Sequence, residues 1–125
     1  MKRILAVDHD EITLSLTKKF LENYGYTVEV TNSSKDALDK LAISHYDLIL
    51  SETDMPGLSG FDMLKVMQKC HITMPLAFLS SKDDRTTLEE SKHSGAVQLI
   101  SKRKDFINLP HIVDNILYKY YRVVA

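Results

Sequence analysis

The sequence predicts an α/β fold, (βα)5, in which one doubly wound parallel sheet of five strands carries helices on both faces. Three observations point there. Five short apolar runs recur along the chain: RILAV (3–7), YTVEV (26–30), DLILS (47–51), PLAFLS (75–80) and VQLIS (97–101). Three of them are almost unbroken in Ile, Leu, Val and Phe, as strands buried on both faces are. Stretches with helical spacing separate them, and strand–helix alternation requires right-handed crossovers and a covered parallel sheet.

Ile12, Leu16 and Phe20, with Leu21, mark the apolar face of the first helix, with Asp10 as N-cap and Gly25 at the end. Ala37, Leu38 and Leu41 mark the second, behind the caps Ser33 and Ser34. Phe61, Leu64 and Met67 mark the third, after Ser59. The fourth, Thr86 to Ser94, is polar and ends at Gly95. Ile112, Val113, Ile116, Leu117 and Tyr120 mark the fifth, with Pro110 in its first turn, where a missing N–H costs little. The segment KRKDFINLP (102–110) reads as a long loop before it.

A chain of 125 residues, 44% apolar, is expected to make one domain, 1–125. The net charge of -1 gives no general attraction to nucleic acid or to an anionic membrane. No apolar run approaches the roughly 20 residues that span a bilayer, and MKRILAVDHDE meets acid too soon for a secretory signal. Cys70 is alone, so it forms neither an internal disulfide nor a cysteine metal cluster, and it reads as a half-buried thiol. The expected location is the cytoplasm, or the nucleus of a eukaryote.

In sheets of this kind the functional crevice lies beyond the carboxyl ends of the strands. Strand one ends in Asp8-His9-Asp10, strand three in Ser51-Glu52-Thr53-Asp54, strand four in Ser80-Ser81 and strand five in Ser101-Lys102. Acidic clusters, hydroxyls and a lysine are thus predicted to converge on one rim.

These segments carry a resemblance. ILAVDHD is similar to a strand ending in an acidic pair, DLILSETDMPGLSGFDML to D-L-I-L-x-D-x-x-M-P-x-x-x-G, MPLAFLSS to P-I-I-x-L-[ST]-A, and SGAVQLISK to G-A-x-x-[YF]-[LI]-x-K. In that order and at matching spacing, they make the chain, from Lys2 to about Tyr120, resemble the receiver domain of two-component response regulators. A looser likeness runs to plant regulators of the Myb-linked class. The resemblance implies the flavodoxin-like strand order 2-1-3-4-5. It implies an aspartate after strand three that takes a phosphoryl group, and a Mg2+ ion held by strand-one acids. It further implies a lysine after strand five, a Ser or Thr after strand four that moves to the phosphoryl group, and an aromatic on strand five that reports the move.

The sequence departs from that pattern. Glu52 stands at the phospho-acceptor position, His9 at the second acidic position and Leu99 at the aromatic switch position. Arg103 replaces the proline after the lysine, so a trans bond is expected there. Ser81 replaces an alanine, while Ser80 and Lys102 are retained in type. Glutamate places its carboxylate about 1.5 Å farther out than aspartate. Misplacement of about 1 Å can slow in-line phosphoryl transfer on the order of 100-fold. Glu52 is therefore expected to pair with Lys102 instead of reacting. Imidazole is a poor ligand for Mg2+, which leaves Asp8, His9 and Asp54 as a degenerate acidic pocket. The expected cofactor is none. Mg2+ on Asp8, Glu52 and Asp54, or a softer metal on His9, Asp8 and Glu52, is the weaker alternative. Leu99 has no polar tip and is expected to stay buried.

The function expected from these departures is a pseudo-receiver: a phosphorylation-independent protein-interaction module of phosphorelay signalling and transcription regulation, not an enzyme. The alternative is an unconventional phospho-receiver that uses Asp54, Asp10, Ser51, Thr53 or a slow Glu52. FMN or a nucleotide is disfavoured, because no glycine-rich cradle is present and DHDE would repel phosphate. The expected partner is a protein, a covalently linked output domain or a second copy of the chain, with no membrane and no direct nucleic-acid contact. It would meet the face of the fourth helix, fifth strand and fifth helix, through Leu88, Leu99, Lys104, Phe106, Ile107 and Tyr118.

Overall fold

The computed structural model describes residues 2–122, so the two ends of the predicted 1–125 domain lie outside the described residues. In chain order the elements are β1 (Arg3–Val7), α1 (Glu11–Glu22), β2 (Thr27–Thr31), α2 (Ser34–Ile43), β3 (Leu48–Ser51) and α3 (Gly60–Lys69). They continue with β4 (Leu76–Ser80), α4 (Arg85–Ser94), β5 (Gln98–Ser101), a short α5 (Lys102–Asp105), a single 3-10 turn (Phe106–Asn108) and α6 (Leu109–Arg122). All strand pairs are parallel, as the alternation predicts, and the order is β2-β1-β3-β4-β5, as the resemblance implies.

The central strands are buried on both faces, and successive residues feed two separate cores. Ile4, Ala6, Leu48, Leu50, Ala77 and Leu79 point to the side covered by α1 and α6. Leu5, Val7, Ile49, Leu76 and Phe78 point to the side of α2 and α3. That two-sided demand explains why the runs are continuous in apolar residues and do not alternate.

Helix starts follow local chemistry. Asp10, Ser33, Ser59 and Asp84 each accept a backbone N–H as the N-caps of α1, α2, α3 and α4. Gly95, at φ 95°, closes α4 in a left-handed conformation that a side chain would oppose.

Three local predictions need correction. The inner face of α1 is Leu14, Thr17 and Leu21, while Ile12 is 73% exposed, Leu16 is exposed and Phe20 is only partly buried, against Phe106. The 102–110 segment is helical, not a loop: Ser101 caps α5 by accepting Lys104 N, and Asp105 accepts Ser101 N. Cys70 is exposed at the end of α3, not half-buried.

Candidate functional site

Strand register assembles the rim. Val7 pairs with Ser51, and Glu52 N donates to Val7 O, so Asp8 and Glu52 leave the sheet side by side. Ser80 pairs with Ser101, which brings Lys102 beside the β4–α4 loop. Residues more than 90 positions apart in sequence thus meet, as the Asp8–Lys102 contact shows.

Lys102 lies between two carboxylates, with Nζ 2.5 Å from Asp8 Oδ2 and 2.7 Å from Glu52 Oε2. The Glu52 pair follows from the longer arm; the Asp8 pair was not foreseen. Glu52 is 2% exposed. Its Oε1 accepts Thr53 N at 2.8 Å and Thr53 Oγ1 at 3.1 Å, and its Oε2 accepts Ser81 N at 3.1 Å. Burial pushes the Glu52 carboxyl upward. The Lys102 hydrogen bond and charge, with the Thr53 and Ser81 N–H groups, outweigh it and hold the group below its usual range. Burial also pulls the Lys102 ammonium down, but Asp8 and Glu52 together raise it above its usual value.

The turn after Glu52 favours glycine at Gly57, where φ is 77°, and requires it at Gly60. Gly60 N donates to Thr53 O, and a Cβ on Gly60 would overlap the Glu52 carbonyl oxygen and stand 3.0 Å from the Phe78 ring. The last position of M-P-x-x-x-G is thus fixed by the close approach of α3 to the residue that carries the carboxylate.

The other sequence-predicted residues divide. Ser80 is fully buried in the cluster, and its Oγ lies 2.7 Å from Thr53 Oγ1 and accepts Lys82 N. His9 is half-exposed beside the pocket, with Nδ1 3.6 Å from Asp8 Oδ1. Asp54 does not join the pocket: it is exposed and pairs with Lys82 at 2.5 Å, because the chain has already turned outward after Thr53. Leu99 is half-buried, packed against the α2–α3 core and not fully enclosed, because β5 is an edge strand. Asp10 caps α1 and its carboxyl is held low, chiefly by the Thr13 hydroxyl. The peptide bond after Lys102 is trans, since no described bond is cis.

The structure adds two features that local sequence patterns do not signal. Thr53 bridges Glu52 to Ser80. Asp83 joins the β4–α4 loop to the start of α5, accepting Ser101 Oγ at 2.7 Å and Arg103 at 3.1 Å. Each links residues 18 or more positions apart.

The model of the response regulator receiver domain family matches residues 4–114. The chain belongs to that family. Among curated relatives, the receiver domain is 26% identical over 122 residues to the cell cycle transcriptional regulator CtrA of Caulobacter vibrioides, covering 98% of this chain and 50% of the relative. It is 29% identical over 119 residues to the two-component response regulator ARR10 of Arabidopsis thaliana, covering 94% and 21%. The chain therefore spans half or less of the length of these relatives. Among solved structures it superposes on the Francisella response regulator 1452 receiver domain with a TM-score of 0.87 at 30% identity, covering 97% and 99% of the two chains. TrrA of Thermotoga maritima, solved in complex with Mg(2+)-BeF, gives 0.81 at 27% identity, covering 93% and 99%.

The family implies a Mg2+ ion, and the donor set tests the fit. Mg2+ needs hard oxygen ligands in octahedral array. At the end of β1, Asp8 is already held by Lys102 and Asp10 N, and Asp10 is engaged as the cap of α1. The adjacent position offers an imidazole, and the Glu52 oxygens are committed to Lys102, Thr53 and Ser81. Among the described residues no three His, Cys, Asp or Glu side chains come together as a ligand group. These residues do not fit a hexacoordinate Mg2+. Among the described residues no helix is long and apolar enough to cross a membrane.

Proposed function

We propose that this receiver domain acts as a pseudo-receiver: a docking module of two-component signalling that works without being phosphorylated. The observation that carries the reading is the state of Glu52. Its carboxylate is buried and takes the lysine ammonium and the two backbone N–H groups that face the pocket. An incoming phosphoryl group would have to displace all of these contacts, with no fitted metal to neutralise its charge.

The alternative acceptors are already engaged. Asp10 caps α1, Asp54 pairs with Lys82, and the hydroxyls of Ser51 and Thr53 are buried and hydrogen-bonded. The β4–α4 loop is fixed along its length, by Ser81 N to Glu52, Lys82 to Asp54, Asp83 to Ser101 and Arg103, and Asp84 to Thr87 N. These contacts favour the conformation seen, and a ligand shifts an equilibrium only where it binds a second state better.

The docking surface in this reading is the face of α4, β5 and α6, where Leu88 and Val97 are exposed. Phe106 leaves the expected set, since it packs edge-on against Phe20 of α1. Tyr118 also leaves it, since it lies in a groove with Tyr24 and Tyr26 at the amino end of the sheet. The partner is a protein or a linked output domain. The greater length of the cell cycle transcriptional regulator CtrA and of the two-component response regulator ARR10 supports the second.

The test is incubation with acetyl phosphate, or with beryllofluoride and Mg2+, read by intact mass and by amide shifts. No mass gain and no shift are expected. Stoichiometric, saturable modification overturns the reading. Labelling is expected only when Glu52→Asp and His9→Asp are combined, which restores both the short acceptor and the second acid.

A further inference from the structure

Thr53 and Ser80 are both fully buried, and their hydroxyls lie in line between the Glu52 carboxylate and the backbone of the β4–α4 loop. Each hydroxyl has one proton and two lone pairs. Glu52, paired with Lys102, has no proton to give, so the 3.1 Å contact from Thr53 Oγ1 must be donated by Thr53. The Thr53 proton is then committed. The 2.7 Å contact between the two hydroxyls must therefore be donated by Ser80 and accepted by Thr53. The Ser80 oxygen in turn accepts Lys82 N at 2.9 Å. The protons run in one direction, from Lys82 N through Ser80 and Thr53 to Glu52.

We propose that Thr53 is a positioning residue that transmits the Glu52 charge through Ser80 to Lys82 N and so sets the β4–α4 loop. The Ser80 proton is thereby withheld from any anion that enters the pocket. The first two residues of the loop are held by different means. Ser81 N reaches the Glu52 carboxylate directly, whereas Lys82 N reaches it only through the two hydroxyls. The inference deepens the docking reading and rests on it for its consequence, because a loop set in this way presents one face to a partner.

The test is amide hydrogen exchange followed by NMR, with no phosphodonor present. Thr53→Val keeps the shape and removes the hydroxyl. It is expected to speed exchange at Lys82 N about tenfold, the scale of one lost hydrogen bond in a local opening. Amides of the α1–α6 core, such as Leu21 and Leu117, are expected to be unchanged. Thr53→Ser, which restores the hydroxyl without the methyl, is expected to stay within about twofold of the unmodified protein, since its bond is retained. The proposal is overturned if Thr53→Val leaves Lys82 within that range, or if Thr53→Ser exchanges as fast as Thr53→Val.

A second measurement on the unmodified protein applies even if Thr53→Val does not fold. The Thr53 and Ser80 hydroxyl protons are expected to exchange slowly enough with water to give separate signals. Hydroxyl protons averaged with water would overturn the relay. Neither measurement depends on phosphorylation, so a failed relay leaves the docking reading intact, and labelling at Glu52 would remove the docking reading without touching this result.

Discussion

The two ends of the sheet use the same charges under opposite conditions. At the carboxyl end, the Lys102 side chain is 16% exposed and holds two carboxylates that are 4% and 2% exposed. At the amino end, Arg3 donates to Glu29 at 2.5 Å with both side chains more than a third exposed, while Tyr46 and Lys40 share the same glutamate. Water screens the second cluster and hardly reaches the first. A surface pair contributes about 1 kcal/mol or less. Removing one partner of a buried pair strands a desolvated charge and costs several times as much. The carboxyl-end cluster is thus costly to disturb in either direction, which suits a pocket that holds one shape.

The sharpest way to break this contrast is to remove each cation in turn. Lys102→Met leaves Asp8 and Glu52 buried without their counter-ion, and a loss of about 3–5 kcal/mol is expected in urea unfolding. Arg3→Met is expected to cost about 1 kcal/mol. Equal losses would remove the distinction between the two ends.

Gly60→Ala is expected to rank close behind, at about 3 kcal/mol, because the new methyl meets the Glu52 carbonyl oxygen and no flexible side chain can yield there. A stable Gly60→Ala variant with unchanged Glu52 and Lys102 signals would show that α3 can withdraw freely.

The pH dependence sharpens the comparison further. Glu52 titrates below its usual 4.5 when folded, so its contribution is complete above about pH 4.5 and is lost as pH falls through the lowered value. Lys102 is raised above its usual 10.5, so its contribution is complete below that pH and is lost as pH rises through the raised value. Stability measured from pH 2 to 7 is expected to fall more steeply in the unmodified protein than in Glu52→Gln. Parallel curves would show that Glu52 is not held low.

The smallest effect belongs to the amino end. Tyr26 donates to Asp114, and burial with that carboxylate raises its hydroxyl well above the usual value of 10. Tyr26→Phe is expected to cost about 1 kcal/mol, because the carboxylate freed by the change remains wetted. A loss as large as that of Lys102→Met would mean that this bond is as enclosed as the carboxyl-end cluster.

Much of this molecule is legible in its sequence. The strands were visible because two-sided burial writes continuous apolar runs, and the helix starts because Asp10, Ser33 and Ser59 cap locally. The Glu52–Lys102 pair could be read because a known pocket fixed the direction of the longer arm. On α1 the period points to Ile12 and Leu16, which are exposed, because helical period shows that a helix has an apolar stripe but not which of its residues meets the sheet. Helix α5 has a local cap in Ser101, but its brace, Asp83, comes from the β4–α4 loop 18 positions away, and four residues are too short to show a helical period.

The sequence by itself determined the order of elements, the two-core sheet and the set of residues at the carboxyl rim, because these follow from local periodicity and strand-end chemistry. Only the tertiary structure decided which rim residues share the pocket. It turned Asp54 out to Lys82, set Lys102 between Asp8 and Glu52, and threaded Thr53 and Ser80 into one chain. Such choices depend on register and burial across the sheet, where a shift of a few ångströms exchanges water for a charged partner.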